Sequence, residues 1–215
     1  MARFDDFKVR RLPDTPRALK KDLRPFEVVA HRGFSAVAPE NTLVAIRKAI
    51  EAGAIGCEFD VYAAKDGPVV LMHDATVNRT TDGSGKVTEL TVAELSRLDA
   101  GSWKDRRYAG EPVPTLEEAL KTLKGSNCQA VIEIKMEGIS KRGVQTVHAT
   151  GMLDQAAVIA FSANVVKEVR ELEPRLSCAW LSGEKLECSP AQKAGWIAKR
   201  ARQCNTNIVD MNYNT

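Results

Sequence analysis

Two carboxylates stand two residues apart in an otherwise apolar part of the sequence. Glu58 and Asp60 alternate with Cys57, Phe59 and Val61, so in a β-strand both acids point to one face and the apolar side chains to the other. An apolar strand with two acids on one face leaves charge unpaired near a core unless a cation or a basic group compensates it. Solvated residues of an edge strand are the alternative interpretation, since most carboxylates are exposed. The apolar neighbours favour a functional site.

A histidine is predicted to lie beside these acids. The dipeptide Asp66-Gly67 is typical of a two-residue hairpin loop, because both residues tolerate the positive φ of a type I′ turn. Folding the chain back at this loop pairs Asp60 with His73. The pairing holds only if no bulge shifts the second strand, since a slip of one residue turns every side chain to the other face.

Two other predicted strands also carry residues that can do chemistry. A short apolar strand ends directly before His31 and Arg32, and a later buried strand carries Glu133 and Lys135 on one face. Active sites of α/β folds lie at the carboxyl ends of their strands. We therefore expect these four residues to meet the first two acids at one end of a sheet.

Together these side chains meet the requirements for cleaving a phosphodiester. Oxygen-only acidic ligands suit a hard divalent cation such as Mg²⁺ or Ca²⁺ better than zinc. An arginine and a lysine beside that cation favour an anionic substrate, and two histidines supply an acid and a base near neutral pH. The candidates are three acids, two histidines and two basic residues: Glu58, Asp60, Glu133, His31, His73, Arg32 and Lys135.

The elements that must position these residues alternate between strands and helices. Helix starts are marked by Asn41 or Thr42 as an N-cap and by a capping box from Thr115 to Glu118. Repeated βα units imply a parallel sheet or barrel. The predicted strands cover residues 28–30, 57–62, 69–72, 129–135, 156–161, 176–181 and 207–211, and the predicted helices cover 42–52, 91–98, 115–124, 140–150, 162–172 and 189–203.

Charge excludes nucleic-acid binding as the main function. The formal net charge of +3 lies in the first 27 residues, where eight Lys and Arg face five Asp and Glu, and the rest of the chain balances at 23 against 23. A balanced domain argues against a nucleic-acid surface or a polybasic membrane surface. We therefore expect a small-molecule substrate as the partner.

Cysteine use and hydropathy indicate a soluble chain. The five cysteines are an odd number and show no Cys-x-x-Cys spacing, so neither a disulfide framework nor a zinc site is expected. Cys57 and Cys178 are predicted to be buried as small hydrophobic residues. No apolar segment has the length of a membrane span and no signal-peptide pattern is present. We expect a cytoplasmic protein without an integral membrane segment, unless a signal was removed before Met1.

Seven motifs in order resemble the glycerophosphodiester phosphodiesterase family. Taken singly, several of them would be weak, but their order and spacing over residues 28–211 make the resemblance specific. The motifs are His31-Arg32-Gly33, Pro39-Glu40-Asn41-Thr42, Glu58-x-Asp60-Val61, Pro68-Val69-Val70-x-x-His73-Asp74, Arg79-Thr80-Thr81-x-Gly83-x-Gly85, Pro114-Thr115-Leu116-Glu117-Glu118 and Glu133-Ile134-Lys135.

The resemblance implies a fold and a reaction. The fold is an α/β protein of the TIM-type (β/α) barrel class, distorted, with an insertion after the third strand. The reaction is metal-dependent hydrolysis of glycerophosphodiesters to sn-glycerol 3-phosphate and an alcohol, through a cyclic phosphate. The implied metal ligands are Glu58, Asp60 and Glu133; the implied acid/base pair is His31 and His73; the implied phosphate-binding residues are Arg32 and Lys135.

Other residues around the motifs have more ordinary interpretations. Glu40 is expected to brace Arg32, and Asn41 to cap a helix. Asp74 is kept outside the set of site residues, because it can either orient an imidazole or cap a turn. His148 is predicted to be a surface residue, and Trp103 a packing residue that can line the mouth of the site.

The chain divides into an arm and a barrel domain in this interpretation. Residues 1–27 form the arm and residues 28–215 form the phosphodiesterase barrel, in which residues 75–114 are an insertion over the active site. The family continues past the strand at 207–211 into a further helix and strand, so we expect the C-terminal part of the barrel to be missing. The alternatives are that the arm, a partner or a second copy in a homo-oligomer closes the gap.

Two other functions remain open at this point. A lysophospholipase D-type lipid phosphodiesterase would need a long apolar groove under the insertion. A catalytically silent module that binds metal or phosphate would fit a barrel that lacks its last strand.

Overall fold

The computed structural model describes residues 28–182, Lys199 and the backbone of residues 209–211. The predicted arm and the predicted helix at 189–203 lie outside the described residues, except for Lys199, which is helical. The strands are β1 (Val29–Ala30), β2 (Gly56–Ala63), β3 (Val69–Leu71), β4 (Gln129–Ile134), β5 (Ala156–Ala160), β6 (Ser177–Ser182) and β7 (Val209–Met211). The α-helices are α1 (Leu43–Glu51), α2 (Val92–Leu95), α3 (Leu116–Leu123), α4 (Ser140–Thr150) and α5 (Ala163–Leu172).

The described strands form one sheet of the α/β barrel type. Its order is β1-β2-β4-β5-β6-β7, and each neighbouring pair on this path is parallel. The short β3 pairs antiparallel with β2. Helices α1, α3, α4 and α5 contribute the apolar side chains that cover one face of this sheet. The predicted βα alternation and the TIM-type fold class are therefore confirmed.

The central strand β2 has two chemically distinct faces. Cys57, Phe59 and Val61 are fully buried in the hydrophobic core that the helices cover, as the alternation predicts. Side chains alternate along a strand, so Glu58 and Asp60 project from the opposite face. The sheet thus presents its acids on the side away from the helices.

The hairpin register predicted for β2 and β3 is wrong by one residue. Val61 pairs with Leu71, and the carbonyl of Asp60 accepts the backbone N–H of Met72 at 3.0 Å. The turn is longer than two residues, because the N–H of Ala64 donates to the carbonyl of Pro68 at 2.8 Å. Asp60 therefore lies opposite Met72 instead of His73.

The neighbouring segment explains the longer turn. The backbone N–H of Lys65 donates to Leu90 at 2.8 Å, and Asp66 Oδ1 accepts the N–H of Val92 at 3.0 Å. These contacts hold the loop residues against α2 and favour a three-residue connection. β3 ends at Leu71, so His73 lies beyond the paired part of the strand. The one-residue shift in register therefore does not move the His73 imidazole away from the acids.

Residues 75–114 contain no barrel-type strand, as predicted. They hold α2, two short 3-10 turns at Val87–Glu89 and Arg106–Tyr108, and one isolated bridge between Thr76 and Lys86. A second hydrophobic cluster joins this segment to the β2–β3 hairpin; its buried members are Ala64, Val70, Met72, Val77, Val87, Leu95, Ala100 and Val113. The segment also contacts the loop after β1: Lys104 Nζ donates to the carbonyl of Ser35 at 2.8 Å. Its role as an insertion over an active site stays a prediction.

Cys57 and Cys178 are buried, as the sequence predicts. Cys128 is buried as well. Cys188 and Cys204 lie outside the described residues. Among the helices that the structure describes, none has both the length and the apolar character needed to cross a membrane.

Candidate active site

Three carboxylates converge on the face of the sheet away from the helices. Glu58 and Asp60 come from β2 and Glu133 from β4, and the parallel register places Asp60 directly beside Glu133. All three side chains are buried, and one oxygen from each lies within 4.8 Å of the other two. The structure therefore brings together the three acids that the sequence predicts as one group.

The group has the properties of a site for a hard cation. Glu58 Oε1 and Asp60 Oδ1 are buried, and neither has a hydrogen-bond partner among the described residues. Asp60 Oδ1 lies 3.3 Å from Lys135 Nζ, a contact that lacks hydrogen-bond geometry. Lys135 compensates part of the charge of Asp60. A buried carboxylate oxygen without a hydrogen-bond partner, such as Glu58 Oε1, is costly unless a cation compensates it. Three carboxylates within reach of one point are the donor set that Mg²⁺ or Ca²⁺ prefers, so the residues fit a divalent ion.

The raised pKa values of Glu58 and Glu133 also favour a cation site. Burial and then the charge of Asp60 raise the pKa of Glu58 to about 8. Burial and the charge of Asp60 also raise the pKa of Glu133, although the ammonium of Lys135 opposes this shift. Carboxylates packed this closely resist ionising together. A bound cation would remove that penalty and lower both pKa values.

Asn41 fixes the position of the most deeply buried acid. Its Nδ2 donates to Asp60 Oδ2 at 2.9 Å, and its Oδ1 accepts the backbone N–H of Asp60 at 3.1 Å. Asn41 adopts a left-handed φ of 57°, which asparagine tolerates better than most residues. The predicted role of Asn41 as a helix cap is wrong: Thr42 is the N-cap of α1, and its Oγ1 accepts the N–H of Ala45.

The loop after β1 is docked on β2 through its backbone. The N–H of Arg32 donates to Glu58 Oε2 at 2.8 Å, and the N–H of Gly33 donates to the carbonyl of Glu58 at 3.0 Å. Both residues have a positive φ, 55° at Arg32 and 75° at Gly33. A Cβ at Gly33 would lie 2.6 Å from the Cβ of Ala45, so this approach requires glycine. The tight loop presents the side chains of His31 and Arg32 to the acids.

Both predicted histidines lie at this cluster. His31 Nε2 is 3.9 Å from Glu58 Oε2, and burial and then the charge of Arg32 lower the pKa of His31. His73 is close enough to shift the pKa of His31 and of Glu133. His73 Nδ1 lies 2.7 Å from Asp74 Oδ1. Of the two roles left open for Asp74, orienting an imidazole is the one the geometry supports.

The two predicted cations contact the same acids. Lys135 Nζ donates to Glu133 Oε1 at 2.7 Å. Burial acts to lower the pKa of Lys135, but the charges of Asp60 and Glu133 outweigh it and the pKa is raised. Arg32 Nε is 3.5 Å from Asp60 Oδ2, and its Nη1 donates to Glu40 Oε1 at 2.9 Å, as expected for a bracing residue. Six of the seven predicted residues are thus joined by direct contacts, and His73 lies close enough to interact with them electrostatically.

Sequence reasoning missed the outer contacts of this cluster. The sequence predicts Asn41 as a helix cap, and it predicts no role for Arg79 beyond its place in a motif. The signal for Asn41 was its place one residue before a better cap, Thr42. No local pattern predicts the contact of Arg79 with Glu40, because the two residues are 39 positions apart in the sequence. His148 lies away from the cluster, half-exposed and paired with Glu173 at 2.9 Å, as predicted for a surface residue.

Comparison with known proteins identifies a family. The model of the Glycerophosphoryl diester phosphodiesterase family matches residues 31–212. A curated glycerophosphodiester phosphodiesterase from Caldanaerobacter subterraneus subsp. tengcongensis is 36% identical over 159 residues, which is 72% of this chain and 65% of the relative. The chain therefore spans slightly less than two-thirds of the length of this relative.

Solved structures agree with the sequence comparison. A glycerophosphodiester phosphodiesterase from Agrobacterium tumefaciens str. C58 superposes with a TM-score of 0.74 at 29% identity, covering 87% of this chain and 76% of the other. An Oleispira antarctica phosphodiesterase, solved in complex with the product sn-glycerol-3-phosphate, superposes with a TM-score of 0.73 at 29% identity. That match covers 86% of this chain and 74% of the other.

Proposed function

Because the chain belongs to the glycerophosphoryl diester phosphodiesterase family, we propose that it hydrolyses glycerophosphodiesters to sn-glycerol 3-phosphate and an alcohol. The observation that carries the proposal is the buried group of Glu58, Asp60 and Glu133, with two carboxylate oxygens that lack hydrogen-bond partners among the described residues. A divalent ion held there would draw charge from the phosphoryl oxygens of a bound phosphodiester.

Arg32 and Lys135 would hold the substrate phosphate. Arg32 contacts Asp60 and Lys135 contacts Glu133, so both side chains would lie beside an ion bound by these acids. A guanidinium can grip two phosphate oxygens at once, and the ammonium adds a point charge. Together they would stabilise the negative charge that develops on the phosphoryl oxygens, where a donor of this kind contributes about 3 kcal/mol.

His73 is proposed as the first base. Its Nδ1 faces Asp74, whose pKa lies at about 2: burial acts to raise it, but hydrogen bonds from Arg79 and His73 outweigh burial. Because Asp74 is ionised at neutral pH and accepts the hydrogen bond, the neutral form of the His73 imidazole would carry its proton on Nδ1 and a lone pair on Nε2. Nε2 would take the proton from the glycerol 2-hydroxyl as that oxygen forms a bond to phosphorus.

His31 is proposed as the first acid. It would give a proton to the leaving oxygen as the bond between phosphorus and the alcohol breaks, which leaves a cyclic phosphate. Burial and then the charge of Arg32 lower the pKa of His31 in the free protein, and the anionic phosphodiester would offset the Arg32 contribution. In the second step a water adds to phosphorus, His31 takes its proton, and His73 returns a proton to the 2-oxygen as the ring opens.

An assay of choline release tests the proposal. The purified chain, with glycerophosphocholine as substrate and Mg²⁺ or Ca²⁺ added, is expected to release choline and to lose this activity in EDTA. His31→Ala and His73→Ala are each expected to lower kcat at least about 100-fold, the usual contribution of a general acid or base.

The third histidine of the chain provides a matched control. His148 lies on α4 away from the acids, so His148→Ala is expected to keep full activity. Turnover that persists in EDTA, or full activity in His31→Ala, would refute the proposed mechanism. Metal binding without turnover of any glycerophosphodiester would instead support a silent binding module.

A further inference from the structure

Arg79 lies between two acids, each of which holds a candidate catalytic or binding group. Its Nε donates to Asp74 Oδ2 at 2.6 Å, and its Nη1 and Nη2 donate to the two oxygens of Glu40 at 3.0 and 2.8 Å. Asp74 in turn accepts the Nδ1–H of His73, and Glu40 accepts Nη1 of Arg32. One guanidinium therefore connects to an imidazole on one side and to a second guanidinium on the other.

The two groups that Arg79 connects come from different parts of the fold. Arg32 lies in the loop after β1, and His73 lies in the loop after β3. β1 and β3 both pair with β2, but at its opposite ends. Each loop is anchored to β2 by a backbone hydrogen bond, from Gly33 to Glu58 and from Met72 to Asp60. The side chain of Arg79 adds a direct connection between the two loops, through Glu40 and Asp74.

The backbone of Arg79 is held firmly by its neighbours. The hydroxyl and the N–H of Thr81 both donate to the carbonyl of Val77, at 2.8 and 3.1 Å. Val77, Thr80 and Thr81 are buried, and Thr80 Oγ1 lies 3.5 Å from the sulfur of Met72. The buried turn fixes the position of the Arg79 Cα. The Arg79 side chain can therefore hold Asp74 and Glu40 at a fixed separation.

We propose that Arg79 is a positioning residue that sets the distance and orientation of His73 relative to Arg32. The proposal rests on the function proposed above and adds a residue from the 75–114 segment to it. A lysine cannot replace Arg79 in full, because one ammonium lacks the planar fork that bonds both oxygens of Glu40 and one of Asp74 together.

The charges of the network support this role. Burial acts to raise the pKa of Glu40, yet hydrogen bonds from Arg79 and the charge of Arg32 outweigh it, and the pKa of Glu40 is lowered. Both acids are therefore ionised, and Arg79 balances part of their charge. Without Arg79 the half-buried Asp74 would turn toward solvent, and His73 would lose its fixed tautomer.

Imidazole ¹⁵N spectra of Arg79→Gln and Arg79→Lys test the proposal without requiring turnover. The chain has only three histidines, so His31→Ala and His148→Ala suffice to assign the signals. The wild type is expected to show His73 protonated at Nδ1, with a slowly exchanging N–H. In Arg79→Gln this N–H is expected to exchange fast and the tautomer to shift toward Nε2–H; Arg79→Lys is expected to fall between.

Kinetics on glycerophosphocholine supply the second measurement. Loss of a residue that orients reacting groups costs about 10–100-fold in activity. Arg79→Gln is therefore expected to lower kcat by this amount, because the base His73 is misoriented. It is also expected to raise KM, because Arg32 no longer holds the substrate phosphate in place. The matched control is Arg106→Gln, an exposed arginine of the same segment, which should leave kcat, KM and the spectra unchanged.

The two measurements separate this proposal from the proposed function. An Arg79→Gln protein with the wild-type His73 signal, or with kcat and KM within twofold of wild type, would overturn the role of Arg79. Absence of turnover in the wild type would refute the proposed function, and the spectra would still decide whether Arg79 orients His73. If Arg79→Gln fails to fold, Arg79→Lys keeps the charge and carries the same comparison.

Discussion

At the scale of single residues, the position of Asp60 depends on an asparagine. Asp60 is fully buried, and Asn41 makes one bond to its carboxylate and one to its backbone. Replacing a residue that orients a metal ligand typically costs about 10–100-fold in metal affinity or activity. Asn41 is therefore expected to matter for ion binding although it donates no atom to the ion.

Replacing Asn41 should weaken metal binding. Asn41→Gly and Asn41→Ala both remove the bonds to Asp60, so each is expected to lower the affinity for Mg²⁺ by about 10–100-fold in a calorimetric titration. The two variants differ in backbone strain: the φ of 57° suits glycine, whereas alanine in this region pays about 1–2 kcal/mol. Thermal unfolding should therefore show Asn41→Ala as the less stable of the two.

The pair of variants separates the two roles of Asn41. Equal losses of metal affinity with unequal stability would match the expectation. Wild-type affinity in both variants would mean that Asn41 shapes only the backbone of the loop, and that Asp60 keeps its position without help.

At the scale of elements, the loop between β1 and α1 delivers two of the seven predicted site residues. It carries His31 and Arg32, and its backbone is tied to β2 by two N–H groups that donate to Glu58. The loop can lie this close to α1 only because Gly33 has no side chain. Its shape is therefore set by contact with the helix as well as by turn geometry.

Gly33→Ala should show whether glycine is required at this position because of the close contact with α1 or only because of its positive φ. A new Cβ would meet the Cβ of Ala45 at 2.6 Å and its carbonyl carbon at 2.8 Å. The control is Gly53→Ala, which has nearly the same φ, 77° against 75°, and no atom within 4 Å of the new Cβ. Both variants pay about 1–2 kcal/mol for the left-handed conformation, and Gly33→Ala should lose about 1–3 kcal/mol more through overpacking.

Chemical denaturation of the two variants measures the difference. A larger loss for Gly33→Ala, accompanied by lower activity, is expected, because the clash must move Arg32 as well. Equal losses would contradict the contact with α1 as the reason for this glycine.

The alternation of side chains explains why most of the site could be predicted from sequence. Glu58, Asp60 and Glu133 lie on strands with clear apolar neighbours, and a period of two decides which face each acid takes. The one-residue error at β3 arose because the turn is held by Leu90 and Val92, which are distant in sequence. Local turn chemistry carries no information about such contacts.

At the scale of the whole molecule, folding brings like charges together. The parallel pairing of β2 and β4 places the carboxylates of Asp60 and Glu133 side by side. Glu58 is buried on the same face of β2, two residues before Asp60. The rest of the fold must offset this repulsion when no cation is bound. Stability of the metal-free protein is therefore expected to depend on pH through this group.

The sign of that dependence follows from the raised pKa of Glu58. Below pH 4.5, the ordinary value, its carboxyl is protonated in both the folded and unfolded chains and has no effect. Between that value and about 8, the unfolded chain ionises while the folded chain holds the proton, so rising pH destabilises the metal-free fold. The slope approaches about 1.4 kcal/mol per pH unit for one fully linked proton.

Glu58→Gln isolates this contribution, because glutamine has the same shape and does not titrate. In EDTA, the stability of the wild type relative to Glu58→Gln is expected to fall as pH rises from about 5 to 8. Because a cation binds the ionised carboxylate, saturating Mg²⁺ should stabilise the wild type more at pH 8 than at pH 6 and should do little for Glu58→Gln. Denaturation midpoints of both proteins, measured at pH 6 and pH 8 with and without Mg²⁺, give the effects of pH and of the ion on stability. A wild-type advantage that stays constant across this range would mean that Glu58 is already ionised in the metal-free fold, and that Arg32 and Lys135 suffice to hold the acids together.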